Sequence, residues 1–338
     1  MSAPGKSAPA HRHGEQFPCH AEFRQSARNI SRPPASGPYR NLDAPPFRWP
    51  PAPLLQNIFT VPDLTPALDE KYRRLLAAIA RHGRVAVAFS GGVDSSLLCR
   101  AAREALGDGA IAITLVSPMM PADDLAAARQ IAALTGIAHF LIEETTIDAP
   151  VAANPPDRCY HCKKVEFARI AQLAATHGIQ TVLDGTNLDD ESDYRPGMRA
   201  LAELHVASPF REAGLSKAEI RALSRQLGLP TWDKPAAACL ASRVPYGEPI
   251  TLEKLRRIDR AEHVLREHGF RQCRVRHHGD IARIEVAPAE RRRFFDERLL
   301  DAVSSEIKAA GYRYVCLELE GYQTGSLNRV LHDAPKNA

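Results

Sequence analysis

The sequence contains 338 residues, of which 44% are hydrophobic and 25% charged, and its formal net charge is +4. This length accommodates a large α/β core with a smaller second domain, and so small a net charge excludes a strong electrostatic argument for nucleic-acid binding. Apolar runs fall short of the roughly 20 residues that span a bilayer, and a secretory signal is lacking, so we expect a cytoplasmic protein with no membrane partner. Seven unevenly spaced cysteines favour reduced thiols or metal ligands over disulfides.

The amino-terminal stretch is rich in proline. Residues 1–66 carry half of the 26 prolines and show no apolar periodicity. Such a segment buries too little apolar surface to offset the entropy lost on ordering. We therefore predict a disordered arm over residues 1–66.

Helix-like and strand-like stretches alternate from residue 66 onward. Apolar strands separated by helices of this length imply parallel pairing with helices on both faces, and ligands then bind at the carboxyl ends of the strands. We predict a doubly wound parallel α/β sheet over residues 67–244. Its strands are expected at 84–89, 110–116, 138–143 and 181–183, with a fifth near 204–208, and its helices at 66–81, 95–106, 122–135, 160–176 and 216–227.

A second pattern begins after Pro245. Thr251 is suited to cap a helix that carries Leu255 and Ile258 on its apolar stripe. Strands at about 271–277, 281–286 and 312–319 and a helix near 288–310 complete a smaller α+β domain over residues 245–329, which we expect to bind substrate or support oligomerisation. Residues 330–338 form a tail.

A glycine turn separates the first strand from the second helix. Unpaired N–H groups and the positive end of the dipole at a helix start favour a bound anion. Glycine permits close backbone approach, hydroxyls add donors, and a carboxylate can hold magnesium or cap the helix. The candidate phosphate-binding residues are Ser90, Gly91, Gly92, Asp94, Ser95 and Ser96. An ordinary capped glycine turn is the structural alternative.

The spacing of this turn differs from the common nucleotide-binding motifs. It lacks the GxxxxGK[ST] of a Walker A loop and the GxGxxG of dinucleotide-binding folds. Ser90–Ser95 resembles the SGGxDS signature of the PP-loop ATP pyrophosphatases. That resemblance implies an adenine nucleotide alpha hydrolase-like fold that uses ATP and Mg and releases pyrophosphate.

Three cysteines are candidates for sulfur or metal chemistry. Cys159 and Cys162 begin a predicted helix, whose dipole favours the thiolate, and Cys239 lies in a proline-broken stretch. Three thiolates could hold a 4Fe-4S cluster and leave one iron open for an exogenous ligand. The alternatives are zinc with His161, although a CxHC arrangement disfavours ligation by all three of its side chains, or unligated thiols. Cys99 and Cys316 are expected to be core residues, and Cys273 is expected to be structural.

Four motifs in order make the resemblance more specific. They are the glycine turn, the run CYHCK at 159–163, the polar segment 184–197 and the run ACLASRVPYG at 238–247. Together they resemble the LarE family, the sulfur transferases of nickel-pincer cofactor synthesis, over about residues 67–329. The resemblance implies that ATP adenylates the carboxylates of pyridinium-3,5-biscarboxylic acid mononucleotide and that sulfur then displaces AMP to give thiocarboxylates.

The same resemblance implies a small-molecule mononucleotide substrate, a sulfide donor and a homo-oligomer. The family has a subtype with one sacrificial cysteine and a subtype with three cysteines and a 4Fe-4S cluster. The sequence matches the second subtype at Cys159, Cys162 and Cys239, and Cys239 is the expected catalytic residue. The sacrificial route is therefore in doubt here.

Charged residues near the carboxyl terminus are candidates for substrate contacts. Arg274 and Arg276 share one face of their predicted strand and form our expected phosphate clamp. Glu262 lies on an apolar helix stripe, Glu285 lies on the neighbouring strand, and the resemblance implies substrate or metal contacts for this region and for Arg243. A structural Arg/Glu ion-pair network is the alternative. Secondary candidates in a polar loop are Asn187, Asp190, Asp193 and Arg195.

Two other functions remain open on the sequence alone. A PP-loop tRNA thiolase also combines this turn with a CxxC and a 4Fe-4S cluster, but it would need a basic face for its nucleic acid, and we expect no nucleic-acid partner. A non-catalytic ATP-binding regulator would keep the turn without releasing pyrophosphate.

Overall fold

A computed structural model describes residues 65–192, 196–236 and 238–328. All of these residues belong to one compact unit. The predicted arm up to residue 64 and the tail 330–338 lie outside the described residues. Within the described ranges, each helix is too short or too polar to cross a membrane.

The described residues form two sheets with flanking helices. The strands are β1 (Val85–Ala88), β2 (Ala110–Val116), β3 (Ala138–Glu143), β4 (Thr181–Leu183), β5 (Cys273–His278), β6 (Ile281–Val286) and β7 (Tyr314–Leu317). The helices are α1 (Pro66–Ala80), α2 (Val93–Leu106), α3 (Ala122–Thr135), α4 (Ala149–Ala152), α5 (Arg158–Thr176), α6 (Gly197–Glu203), α7 (Pro209–Glu212), α8 (Lys217–Gln226), α9 (Leu252–Glu267) and α10 (Glu297–Ala309).

The larger sheet has the strand order β3-β2-β1-β4, and all of its strands are parallel. Alternate residues of β1 face opposite sides, so Val85 and Val87 pack among α1, α2, α3 and α8, while Ala86 packs with Phe167 of α5. The predicted doubly wound sheet is confirmed.

The fifth strand predicted near 204–208 is reduced to one parallel bridge between Leu183 and Ala207. The N–H of Ala207 donates to the carbonyl of Val182 at 3.0 Å. Helix α6 ends just before it, and His205 takes a positive φ of 52°. The chain therefore turns too sharply to run along the sheet for more than one residue pair.

The smaller sheet has the order β5-β6-β7, with β5 and β6 antiparallel and β6 and β7 parallel. Helix α9 is capped as predicted, since the Thr251 hydroxyl accepts the N–H of Lys254 at 3.2 Å. The single helix predicted over 288–310 is wrong. A 3-10 helix spans Pro288–Phe295 and α10 follows, because the Asp296 carboxylate caps α10 by accepting the N–H of Arg298.

A small apolar cluster lies beside the segment that carries Cys239. Its buried members are Leu240, Ala241, Val244, Ile250, Leu255 and Ile258, and Met119 and Ile147 pack against it. The cluster therefore anchors this segment against α9. The domain boundary predicted at residue 245 falls inside this cluster and stays a prediction.

The cysteines expected to be structural differ in their exposure. Cys99 and Cys273 are buried, whereas Cys316 is exposed. The expectation for Cys316 is wrong because β7 is the edge strand of the smaller sheet, and one of its faces is not covered.

Candidate active site

The glycine turn lies at the carboxyl end of β1 and is closed by α3. Gly91 has a positive φ of 71°, and a Cβ at this position would lie 2.5 Å from the carbonyl oxygen of Asp124 and 2.9 Å from the nitrogen of Ala128. Gly92 is the N-cap residue of α2 and has no side-chain cap of its own. The turn therefore requires glycine at residue 91 and leaves the first N–H groups of α2 available to an anion.

Three serine hydroxyls around the turn have different environments. The Ser90 and Ser95 hydroxyl oxygens lie 3.1 Å apart, and the N–H of Ser90 donates to Ser95 Oγ at 3.3 Å. Ser90 is exposed, whereas Ser96 is completely buried, and its hydroxyl has no hydrogen-bond partner among the described residues. Ser90 is thus the hydroxyl most open to a ligand.

Asp94 is held between an amide and an ammonium group. Its carboxylate forms an ion pair with Lys217, and the side-chain N–H of Asn187 donates to it at 3.4 Å. A Cβ on Gly185 would lie 2.9 Å from the Asp94 Cβ, so the loop after β4 passes directly over the start of α2. The carboxylate is partly exposed, so a ligand bound at the turn is able to reach it.

A second lysine reaches the glycine turn from the cysteine segment. The ammonium of Lys234 donates to the carbonyl of Gly91 at 3.0 Å and pairs with Asp124 at 2.8 Å. Sequence analysis missed both Lys217 and Lys234. Each reaches the turn from a distant part of the chain, and the sequence carries no spacing signal for such contacts.

The polar loop after β4 is internally bonded. Asp184 is buried and accepts hydrogen bonds from the hydroxyls of Thr186 and Ser208, and burial raises the pKa of its carboxyl group. The N–H of Asn187 donates to Asp190 at 3.0 Å. Asn187 lies next to Asp94, which suits a residue that contacts the nucleotide. Asp190 accepts a backbone N–H of its own loop, which is the contact expected if the loop is only capped. The candidates Asp193 and Arg195 lie outside the described residues.

The fold brings the three candidate cysteines into electrostatic contact. Cys159 and Cys162 lie in the first two turns of α5, and Cys239 precedes a 3-10 helix at Leu240–Arg243. Burial raises the pKa of the Cys159 thiol, and the charge of a Cys239 thiolate raises it further. Burial, Glu166 and Cys239 raise the pKa of Cys162 to about 12. Burial thus opposes the effect that the helix start was expected to have on these two thiols.

The donors of this group are thiols, which suit an iron–sulfur cluster and also bind zinc. All three side chains are thiols, which are the usual ligands of such clusters. The imidazole of His161 lies 3.5 Å from the carboxylate of Asp157 and contacts the Tyr160 ring edge-on, and these contacts are compatible with the zinc alternative. Within the described ranges, no three His, Cys, Asp or Glu side chains are close enough to hold a metal ion in this conformation.

A buried ion pair fixes the loop of Cys239. The Arg243 guanidinium donates twice to the Glu262 carboxylate, at 2.7 and 2.8 Å, and the two side chains are 2% and 1% exposed. Arg243 also donates to the carbonyls of Ala238 and Cys239, at 2.6 and 2.8 Å. Burial alone would raise the pKa of Glu262, but the charge of Arg243 lowers it. The pair therefore stays ionised and holds the backbone on which the Cys239 thiol is carried.

The two arginines expected to clamp a phosphate are both buried. Arg276 forms a bidentate ion pair with Glu285, at 3.0 and 2.8 Å, and donates to the carbonyl of Ser242 at 2.9 Å. Arg274 donates to the carbonyls of Cys273 and Ala236 and lies over the Tyr322 ring. Arg276 and Glu285 thus have the contacts of the ion-pair alternative, whereas the hydrogen bonds of Arg274 to other described residues go to carbonyls. The substrate roles of these residues stay predictions.

Known proteins are similar to this chain over parts of its length. Residues 72–186 match the asparagine synthase family, and these residues contain the glycine turn. An uncharacterised protein of Synechocystis is 44% identical over 265 residues, which cover 78% of this chain and 99% of that protein. A tRNA-specific 2-thiouridylase, MnmA, of Cereibacter sphaeroides is 29% identical over 214 residues, 51% of this chain and 56% of that enzyme.

A further relative has a defined activity. The pyridinium-3,5-bisthiocarboxylic acid mononucleotide synthase of Lactiplantibacillus plantarum is 37% identical over 274 residues, which cover 79% of this chain and 97% of that enzyme. The resemblance predicted from the sequence motifs is confirmed, while the three-cysteine subtype stays a prediction. The chain belongs to the LarE family, that of pyridinium-3,5-bisthiocarboxylic acid mononucleotide synthase.

Proposed function

We propose that this protein is an ATP-dependent sulfur transferase. It adenylates the carboxylates of pyridinium-3,5-biscarboxylic acid mononucleotide and converts them to thiocarboxylates, the groups named in the product of the L. plantarum relative. The observation that carries the proposal is the path of residues 234–243. Its first side chain, Lys234, contacts the glycine turn, and Cys239 follows five residues later beside the CxxC pair.

The glycine turn supplies the groups for adenylation. A substrate carboxylate oxygen attacks the α-phosphorus of ATP, the bond to the β-phosphate oxygen breaks, and pyrophosphate leaves. Negative charge grows on the departing pyrophosphate, next to the N–H groups of α2 and the ammonium groups of Lys217 and Lys234. Magnesium held by Asp94 would neutralise more of this charge.

The second step takes place at the cysteine segment. A sulfur anion attacks the acyl carbon, the carbon–oxygen bond to the phosphate breaks, and AMP leaves as the thiocarboxylate forms. Arg274 and Arg276 lie on β5 and donate to carbonyls of Ala236 and Ser242 in this same segment. A substrate phosphate bound by these arginines would therefore place the substrate near Cys239.

We assign a 4Fe-4S cluster to Cys159, Cys162 and Cys239. When bound, the cluster would supply an open iron that carries sulfide for the transfer. The chain contributes only soft sulfur donors to this group, and the six cysteines among the described residues are free thiols. Binding must displace the protons that burial retains on Cys159 and Cys162.

Three further features complete the proposal. A sulfide donor supplies sulfur to the site, free thiols suit a reducing cytoplasm, and the enzyme is a homo-oligomer. Large apolar side chains exposed on the smaller sheet and its connections support self-association. They are Phe295, Tyr314 and Leu319, which are 89%, 62% and 78% exposed.

Product analysis tests the function. The anaerobically reconstituted protein, given ATP, the mononucleotide and sulfide, should form AMP, pyrophosphate and thiocarboxylate. Formation of ADP in a stoichiometric amount would overturn adenylation. Product formation only in the presence of tRNA would favour the tRNA thiolase alternative, the activity named for the relative MnmA. Pyrophosphate release on substrate addition excludes the regulator.

Iron and mass measurements test the cluster separately. We expect iron, acid-labile sulfide and visible absorbance, all lost when any one of the three cysteines becomes Ala. Cys99→Ala is the matched control, because Cys99 is buried in α2, away from the three cysteines. A loss of about 34 Da at Cys239 after turnover, the mass of hydrogen sulfide, would show a sacrificial cysteine instead.

A further inference from the structure

A buried arginine next to the CxxC pair lacks a carboxylate partner. Arg158 is 2% exposed, and its guanidinium donates to the side-chain oxygen of Asn154 at 2.5 Å and to the carbonyl of Ala241 at 3.2 Å. Its second amino group lies 3.9 Å from the Cys159 sulfur. Among the described residues, no acidic side chain contacts it.

Two other buried arginines at the site have partners that Arg158 lacks. Arg243 and Arg276 each donate twice to a carboxylate, that of Glu262 and that of Glu285. Arg274 is also buried and donates to two carbonyls, and it is one of the arginines proposed above to bind the substrate phosphate. A buried cation is costly without an anion nearby, and carbonyl and amide oxygens offset only part of that cost. The position of Arg158 therefore calls for an anion supplied by something other than a carboxylate.

The candidate anions around Arg158 are sulfur atoms. The Cys159 sulfur lies 3.9 Å from the second amino group of Arg158, and the bond to the Ala241 carbonyl ties the guanidinium to the segment that begins at Cys239. A further neighbour is the ring of Tyr246, whose centroid lies 5.6 Å from the guanidinium carbon. Asn154, whose oxygen accepts from Arg158, also donates to the carbonyls of Pro245 and Glu248, at 2.7 and 3.0 Å. The guanidinium is thus fixed between α5 and the segment that follows Cys239.

We propose that Arg158 is a positioning residue for the sulfur step, whose guanidinium is the counterion of the sulfur anions at Cys159 and Cys239 and of the hydrosulfide delivered there. The inference rests on the proposed function, because that function brings sulfide to this group. Arg158 forms and breaks no covalent bond. It lowers the free energy of the anions by charge and holds the two cysteine segments at a fixed separation.

Two substitutions separate charge from hydrogen bonding. Arg158→Lys keeps the charge, and Arg158→Gln loses it, while both lose the forked geometry of the guanidinium. With sodium sulfide as the probe, we expect Arg158→Gln to raise the KM for sulfide about tenfold and Arg158→Lys by less than about threefold. The KM for ATP should stay unchanged. Arg100→Gln is the control, since it breaks a partly buried pair with Glu104.

The reduction potential gives a second readout. Loss of a nearby positive charge disfavours the reduced cluster, so Arg158→Gln should have a more negative midpoint potential than Arg158→Lys at equal iron content. The inference would be overturned if the two variants changed the sulfide KM and the midpoint potential equally, or if neither variant folded. Arg158 would then only hold α5 and the Cys239 segment together.

Different results would contradict the proposed function and the proposed role of Arg158. If the wild-type protein forms products but the two variants have equal sulfide KM values, the function stands and the role of Arg158 does not. If it binds a cluster without forming products, the function fails and the midpoint potentials decide the role of Arg158. A wild-type protein with neither cluster nor product overturns both.

Discussion

The phosphate half and the sulfur half of the site are held by different kinds of contact. At the glycine turn, Asp94 and Lys217 are paired but remain 25% and 32% exposed, so an incoming phosphate or metal ion is able to exchange with them. At the cysteine loop, Arg243 and Glu262 are almost completely buried. The ion pair of the phosphate half is therefore free to change partners when a ligand binds, whereas the ion pair of the sulfur half holds the backbone of the Cys239 loop in place.

Breaking the buried pair gives the largest expected effect. Glu262→Gln leaves the Arg243 charge buried with a neutral partner and should lower the free energy of unfolding by about 3–5 kcal/mol. Urea denaturation measures this change. The double variant Arg243→Met/Glu262→Leu should recover much of the loss, because no charge is left buried. A double variant as unstable as the single one would mean that the contacts to the Cys239 loop, and not the charges, determine stability.

Asp94→Asn should affect the phosphate half alone. It removes the negative charge that pairs with Lys217 and that we assign to magnesium, so pyrophosphate release should fall about 100-fold or more. A radioactive pyrophosphate assay measures the rate. The iron content should remain at the wild-type value, and a parallel loss of iron would show that the two halves are not separable.

The arginines of β5 test where the substrate phosphate binds. Arg274→Ala should raise the KM for the mononucleotide about tenfold with little change for ATP, since Arg274 has no carboxylate partner among the described residues. Arg276→Ala also removes the partner of Glu285 and should reduce thermal stability as well. Equal KM changes for both substrates would indicate a structural network.

The serines of the turn give the smallest expected effect. Ser96→Ala should change the KM for ATP by less than about twofold, because its hydroxyl is buried and has no hydrogen bond among the described residues. Ser95→Ala is the matched comparison, since Ser95 bonds to Ser90. Equal KM increases in the two variants would show that the Ser96 hydroxyl reaches the nucleotide.

The strands and helices around the glycine turn were predicted well because their signals are local. Apolar runs and a glycine turn specify β1 and α2 within about 20 residues, and the four parallel strands follow from the same pattern. Lys217 and Lys234 were missed because they reach the turn over 123 and 143 residues of chain, through packing that periodicity does not report.

The sulfur half was less predictable for a related reason. The CxxC spacing and a proline-broken stretch made Cys159, Cys162 and Cys239 candidates, but the sequence could not tell whether the charged side chains near them would be paired. Alternation placed Arg274 and Arg276 on one face of β5, yet only the structure separates Arg276, which is bound to Glu285, from Arg274. Arg158, directly before the first of these cysteines, carried no signal that it would be buried.

The path of residues 234–243 limits how far an activated intermediate has to travel. Cys239 follows Lys234 by five residues, so a fully extended chain would place their Cα atoms at most about 18 Å apart, and the Lys234 side chain covers the remaining distance to the glycine turn. An acyl adenylate formed at the turn therefore has only a short distance to cover before it meets sulfur at the cysteine group. Such an intermediate hydrolyses in bulk water, and a short fixed distance between the two reactions shortens the time for which water competes with sulfur.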